Sequence, residues 1–181
     1  MFSSGATSHR LYYKITGVGH WFTFTTRPPK FWRGEKEGSS TREHNVAFPT
    51  TAARDTAFCC LWSTLHYWAY QARTNCRDFN PSDLEWLPIP KSLLKGVPEL
   101  SKLSREIMRS LEDSSSVAGG TYSVGGAVRY ERFKPRMAKP VFDQVDTLLA
   151  RQYGLTNNEL DFIINYDIKY RMGQDDEDPD E

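Results

Sequence analysis

The sequence predicts an α+β fold in which a small, mostly antiparallel sheet packs on a central helix and a helical C-terminal segment follows. Three patterns predict it. Residues 10–26 alternate apolar and polar positions, residues 51–73 carry an apolar stripe at spacings of three and four, and residues 138–173 repeat helical spacing around a glycine stop.

In the first pattern, RLYYKIT places Leu11, Tyr13 and Ile15 on one face, and HWFTFTT places Phe22 and Phe24 on one face. Gly17-Val18-Gly19 between them fits a hairpin connection, because glycine accepts positive φ. Pro28-Pro29 stops regular structure, and residues 30–45, KFWRGEKEGSSTREHN, read as a polar loop. A helix over 51–73 follows, with Thr50 or Thr51 as N-cap and Phe58, Leu61, Leu65, Trp68 and Ala72 as its apolar stripe. Ser63, His66, Tyr70 and Arg73 fall on its polar side. Asn80-Pro81-Ser82-Asp83 is turn chemistry, and Leu84–Ile89 reads as a short edge strand or extended arm confined by Pro88 and Pro90.

Pro98 opens a second helix, with Leu100, Leu103, Ile107 and Leu111 in register. Residues 113–137 include DSSSVAGGTYSVGGAVR, a Ser- and Gly-rich stretch that reads as a flexible linker or loop. A helical hairpin over 138–173 uses Phe142, Val145, Leu148 and Leu149 and stops at Gly154, a natural C′ residue. Its second helix opens on a capping box, Thr156 and Glu159, with Leu155 and Leu160 as a staple and Leu160, Ile163 and Ile164 as buried face. The expected organisation is therefore an α+β unit over 1–112, a linker over 113–137, the hairpin over 138–173 and an acidic tail over 174–181.

The 181 residues carry 23 bases and 23 acids, a formal balance that argues against a nucleic-acid partner. The distribution reverses that reading. Six of the acids sit in the last eight residues, QDDEDPDE, so residues 1–173 hold 23 bases against 17 acids. The tail reads as disordered and solubilising, or as a competitor for a basic face. No apolar stretch reaches membrane-spanning length, and MFSSGATSHRLYYK lacks the basic start and apolar run of a secretory signal. An odd set of three cysteines, two of them adjacent, fits a reducing cytoplasm better than a disulfide framework.

A nucleic-acid reader needs cations for phosphates and bidentate side chains for base edges. Residues 27–45 supply Arg27, Lys30, Arg33, Lys36 and Arg42, interleaved with Ser39, Ser40, Thr41 and Asn45, although Glu35, Glu37 and Glu43 dilute the charge as in an ordinary solvated loop. A second cluster, Arg73, Arg77 and Asn80, follows the aromatic helix; Arg77 and Asp78 also suit an internal ion pair. Trp62, Tyr67, Trp68 and Tyr70 read as core at helical spacing, whereas Trp32 either anchors its loop or wedges against a base. Cys59, Cys60, His66 and Cys76 lack zinc-site spacing, no G-x-S-x-G elbow is present, and Asp83, Glu85 and Lys91 lack the strand a nuclease set needs. Tyr166–Met172 reads as packed tyrosines with solvated bases.

Three segments carry a family resemblance: KFWRGEKEGSST; LWSTLHYWAYQA followed by CRDFNPSDLEWLPIP; and PVFDQVDTLLARQYGLTNNELDFIINYDIKYRMG. Together, over about residues 20–92 and 138–173, they resemble the C-terminal region of fused type II restriction–modification methylases specific for adenine. The middle segment is also similar to type I specificity subunits. The resemblance implies a target-recognition domain that grips duplex DNA while a methyltransferase domain, in cis or in trans, methylates a flipped adenine from S-adenosylmethionine. That family's catalytic Asn-Pro-Pro-aromatic motif is missing: the sole Asn-Pro, Asn80-Pro81, continues into Ser82 and Asp83. The chain is thus expected to bind DNA without being an enzyme and without a cofactor of its own. The alternative is a module that docks onto another restriction or phage-defence subunit.

Overall fold

A computed structural model describes residues 9–14, 23–74, 76, 78–85, 89, 92–122 and 126–166. It is α+β, with two antiparallel sheets and a helical C-terminal segment. The first sheet has the order β2-β1-β5, from β1 (Arg10–Lys14), β2 (Phe24–Thr25) and β5 (Glu43–Ala47). Leu11 and Tyr13 turn inward as the alternation predicts, and Phe24 joins them; Ile15, Phe22 and the Gly17–Gly19 connection lie outside the described residues.

The predicted 51–73 helix is two helices, α1 (Thr51–Trp62) and α2 (Thr64–Arg73). Thr50 caps α1, its side chain accepting from the Ala53 amide at 3.1 Å. Ser63 leaves the helical conformation (φ −66°, ψ 149°), and its hydroxyl donates to Cys60 O at 2.6 Å and accepts from the His66 amide at 3.1 Å. The buried Asp146 carboxylate accepts from the Thr64 amide at 2.8 Å, a negative charge at the start of α2. One extended residue resets the helical phase. Thr64, His66 and Tyr70 are therefore buried, while Trp68 stands 38% exposed, the opposite of the predicted stripe beyond Leu61.

Residues Pro81–Glu85 form a short helix, α3, in place of the predicted turn leading into a short strand or extended arm from Leu84, and residues 86–88 of that predicted segment lie outside the described residues; Asp83 turns back to accept from the Asn80 amide at 2.6 Å. Helix α4 (Pro98–Asp113) follows the prediction, with Leu100, Leu103, Ile107 and Leu111 buried. The last two helices, α5 (Lys139–Tyr153) and α6 (Asn157–Asn165), also follow it. Gly154 adopts φ +69° at the end of α5, and the Thr156–Glu159 capping box is complete. Ile163 is buried, with Leu155, Leu160 and Ile164 only partly so. Trp62 ties the layers of the core together: its ring stacks on Phe142 of α5 at 5.0 Å, and its indole N–H donates to Phe24 O at 3.2 Å.

The largest difference from the sequence reading is at 113–137. Residues Ser116–Tyr122 (β6) and Gly126–Arg132 (β7) pair as an antiparallel ribbon, where composition predicted a flexible linker. The polar "loop" at 30–45 is also structured, as β3 (Phe31–Arg33), β4 (Lys36–Gly38) and the start of β5. The two hairpins join in a second sheet of order β4-β3-β7-β6. No described helix is long and apolar enough to cross a membrane.

Candidate nucleic-acid interface

Local chemistry explains this second sheet. Gly34 and Glu35 form the two-residue turn between Arg33 and Lys36, and Gly34 adopts φ +60°, as a type II′ hairpin turn requires of its first central residue. Strand β3 then pairs with β7, matching Phe31 with Tyr130, Trp32 with Arg129 and Arg33 with Val128. The Gly34 amide donates to Ala127 O at 2.7 Å, and the Glu131 amide to Lys30 O at 2.9 Å. Gly119 in β6 is required by packing rather than flexibility, since a Cβ there would lie 2.3 Å from Val128 O.

Among the described side chains, none of β3, β4, β6 or β7 belongs to the hydrophobic core, so the sheet stands off it. Its root is fastened in two places. Arg27 forks onto Glu131 at 2.7 and 2.8 Å and reaches Glu112 of α4 at 2.6 Å, while its guanidinium lies over the Phe133 ring. The Glu131 carboxyl is held below its usual range by those Arg27 bonds first and by the Lys30 amide as well, and Arg27 is pushed up by the same bonds. Across from it, the Lys14 ammonium lies 4.9 Å from the centre of the Tyr130 ring. Burial pushes Lys14 down, opposed by Tyr130 and Glu43.

Charge is sorted between the two sides of the sheet. Residues opposite each other across strands, and residues two apart along them, share a side. Arg33, Lys36 and Arg132 therefore lie on one side with Phe31, Val128 and Tyr130, and no acidic strand residue lies there. The other side mixes Arg129, whose guanidinium lies over Trp32 at 5.5 Å, with Glu37 and the paired Glu131. Arg33, Lys36, Arg129 and Arg132 are all exposed.

The predicted site residues divide accordingly. Arg33 and Lys36 come together as a cross-strand pair on this sheet, and Lys30 immediately precedes β3 with its amide donating to Glu131. Arg27 is at its root with its fork committed to two carboxylates. Ser39, Ser40, Thr41 and Arg42 form the connection into β5, where the Arg42 amide donates to Ser40 Oγ, and Asn45 on β5 accepts from Arg10. Arg73 borders a groove beside Trp68 and Leu149, and exposed Asn80 precedes α3, so neither lies on the sheet. Arg77 is outside the described residues. Trp32 is half-buried under Arg129, within a strand rather than a loop. Sequence reasoning missed Lys14, Tyr130, Arg129 and Arg132. The available signal was AVRYER, whose alternation of Val128, Tyr130 and Arg132 with Arg129 and Glu131 is that of a strand.

Among the described residues, no group of three His, Cys, Asp or Glu side chains is arranged to hold a metal ion. The chain matches no family model, no curated protein and no solved structure.

Proposed function

We propose that this chain recognises duplex DNA through the β4-β3-β7-β6 sheet. On this reading it is the target-recognition part of an adenine-specific restriction–modification methyltransferase whose catalytic domain, with its S-adenosylmethionine, is supplied in cis or in trans. The observation that carries DNA contact is the one-sided placement of Arg33, Lys36 and Arg132 beside Phe31 and Tyr130, on a sheet that stands off the core. The four strands present these cations on one face, and seven residues per strand give β6–β7 a length of about 23 Å. Cations on one side suit phosphates, and the committed Arg27 holds the ribbon to the body rather than to a ligand. The methylase context rests on the sequence resemblance described above.

Fluorescence anisotropy with labelled duplexes tests the reading. Affinity is expected to fall steeply between about 50 and 200 mM salt. Affinity independent of salt, or no association with duplexes of many sequences, refutes it. Addition of a methyltransferase subunit of the same class tests the wider context, with adenine methylation of the bound duplex as readout.

A second reading, docking onto a protein subunit, draws on one observation. Trp68 stands exposed beside a groove of about 430 Å³ lined by Leu65, Ala69, Ala72, Leu149 and Leu155. Substituting Trp68 with Ser separates the two readings, because it leaves DNA binding unchanged and weakens only subunit docking.

A further inference from the structure

The outer edge of the projecting sheet points to a second copy of this chain. Strand β6 reads SVAGGTY, seven residues without a charge or a proline. Sheets ordinarily protect such edges with lysine, proline or a bulge. The opposite edge, β4, is short and carries Lys36 and Glu37. On β6, Val117 stands 62% exposed.

The pairing pattern fixes which backbone groups face outward. The Glu131 amide and the Ala127 carbonyl bond toward β3, so alternate residues of β7, from Gly126 through Arg132, direct their backbone groups to β6. Their opposites, Ser116, Ala118, Gly120 and Tyr122, take up those bonds. The N–H and C=O groups of Val117, Gly119 and Thr121 therefore point away from the sheet. No bond from them to any described residue outside the strand ladder is present. These three positions are symmetric about Gly119. An antiparallel copy of the strand would match Val117 with Thr121, Gly119 with Gly119, and Thr121 with Val117, closing about six inter-strand bonds. The centre of that arrangement carries no side chain, and the strand brings no charge to repel its copy.

We propose that β6 pairs antiparallel with β6 of a second molecule about a two-fold axis through Gly119, joining the two four-stranded sheets into one. The axis runs perpendicular to the sheet, so Arg33, Lys36 and Arg132 of both molecules face the same way. The pairing does not depend on DNA recognition. One strand edge is a small interface, so the pairing is expected to be weak and concentration-dependent, well short of a permanent dimer.

Sedimentation velocity of the full chain without DNA, from about 1 µM to about 1 mM, is expected to show monomer converting to dimer. Thr121→Pro removes an outward N–H at an edge position that tolerates proline, and is expected to weaken association about tenfold or more. Amide hydrogen exchange on the unaltered protein gives a reading that does not depend on how the variant folds. Protection at Val117, Gly119 and Thr121 should rise with protein concentration, while protection at Ser116, Ala118 and Gly120 stays constant. A chain that is monomeric throughout the range overturns the proposal, whether or not the edge accepts some other peptide. So does a dimer whose three outer amides exchange freely.

Discussion

Arg27 and Glu131 join the projecting sheet to the helical body through a forked pair, with both terminal guanidinium nitrogens on the two carboxylate oxygens at 2.8 and 2.7 Å. Glu131 is 7% exposed and Arg27 32%. Removing the carboxylate by Glu131→Gln is expected to cost about 2 kcal/mol. That is below the cost of breaking a fully buried pair, because Arg27 keeps solvent and Glu112. The Glu131 carboxyl is depressed in the folded state, so its contribution is full above the ordinary carboxylate range and vanishes as pH falls through the depressed value. Urea unfolding of both proteins across that range checks this: the gap between them should be widest near neutrality and close in acid. A constant gap rules out the ion pair as its cause.

If the sheet binds DNA as proposed, the sorting of charge by side makes that contact directional. Arg33→Ala and Lys36→Ala should each weaken duplex binding and lower the salt slope by about one phosphate contact. Arg129→Ala, on the opposite side, should leave both nearly unchanged. Arg27→Gln should weaken binding through the orientation of the sheet, with the salt slope intact. Equal losses at Arg129 and Arg33 in salt-dependent titrations dismiss the proposed face.

Two adjacent glycines of β6 should respond in opposite ways. A Cβ at Gly119 lies 2.3 Å from Val128 O and 3.0 Å from Arg129 Cα, both backbone atoms that cannot yield without parting the strands. Gly119→Ala is therefore expected to destabilise the ribbon by about 1–3 kcal/mol. At Gly120 nothing lies within 4 Å and no positive φ is required. Gly120→Ala should be neutral or stabilising by up to about 1 kcal/mol, through the unfolded chain. Hydrogen exchange of the β6–β7 amides distinguishes them.

This contrast also marks where the fold could and could not be read from the sequence. Helices α4, α5 and α6 were legible because periodic apolar positions, Pro98, Gly154 and the Thr156–Glu159 box all agree. The β6–β7 ribbon was not, because Gly119 looks like a flexible residue until a neighbouring backbone is known to approach it. The break at Ser63 was hidden for a related reason. A serine on the polar side of a helix passes as a surface position, and what ends the helix is partly Asp146, 82 residues beyond Thr64 along the chain. Of the candidate site, the cations at 30, 33 and 36 were legible as a basic segment. Their division into sides was not, since it depends on pairing with Val128 and Tyr130 across about a hundred residues.

The three cysteines should divide in the same structural terms. Cys59 and Cys60 are buried in α1, and burial pushes both thiols up, Cys60 to about 12 with Asp146 adding to the effect. Thiolate is the reactive form, so both should resist alkylation at neutral pH. Cys76 is exposed and should react. A chromogenic disulfide reagent is expected to titrate one thiol per native chain and all three in denaturant. The slow native-state appearance of the second and third thiols would then report opening of the α1 core at Trp62 and Phe142, and it should accelerate in Asp146→Ala, which removes the acceptor at the Thr64 amide. Rapid labelling of three thiols in the native chain contradicts the packing of α1 against α4 and α5.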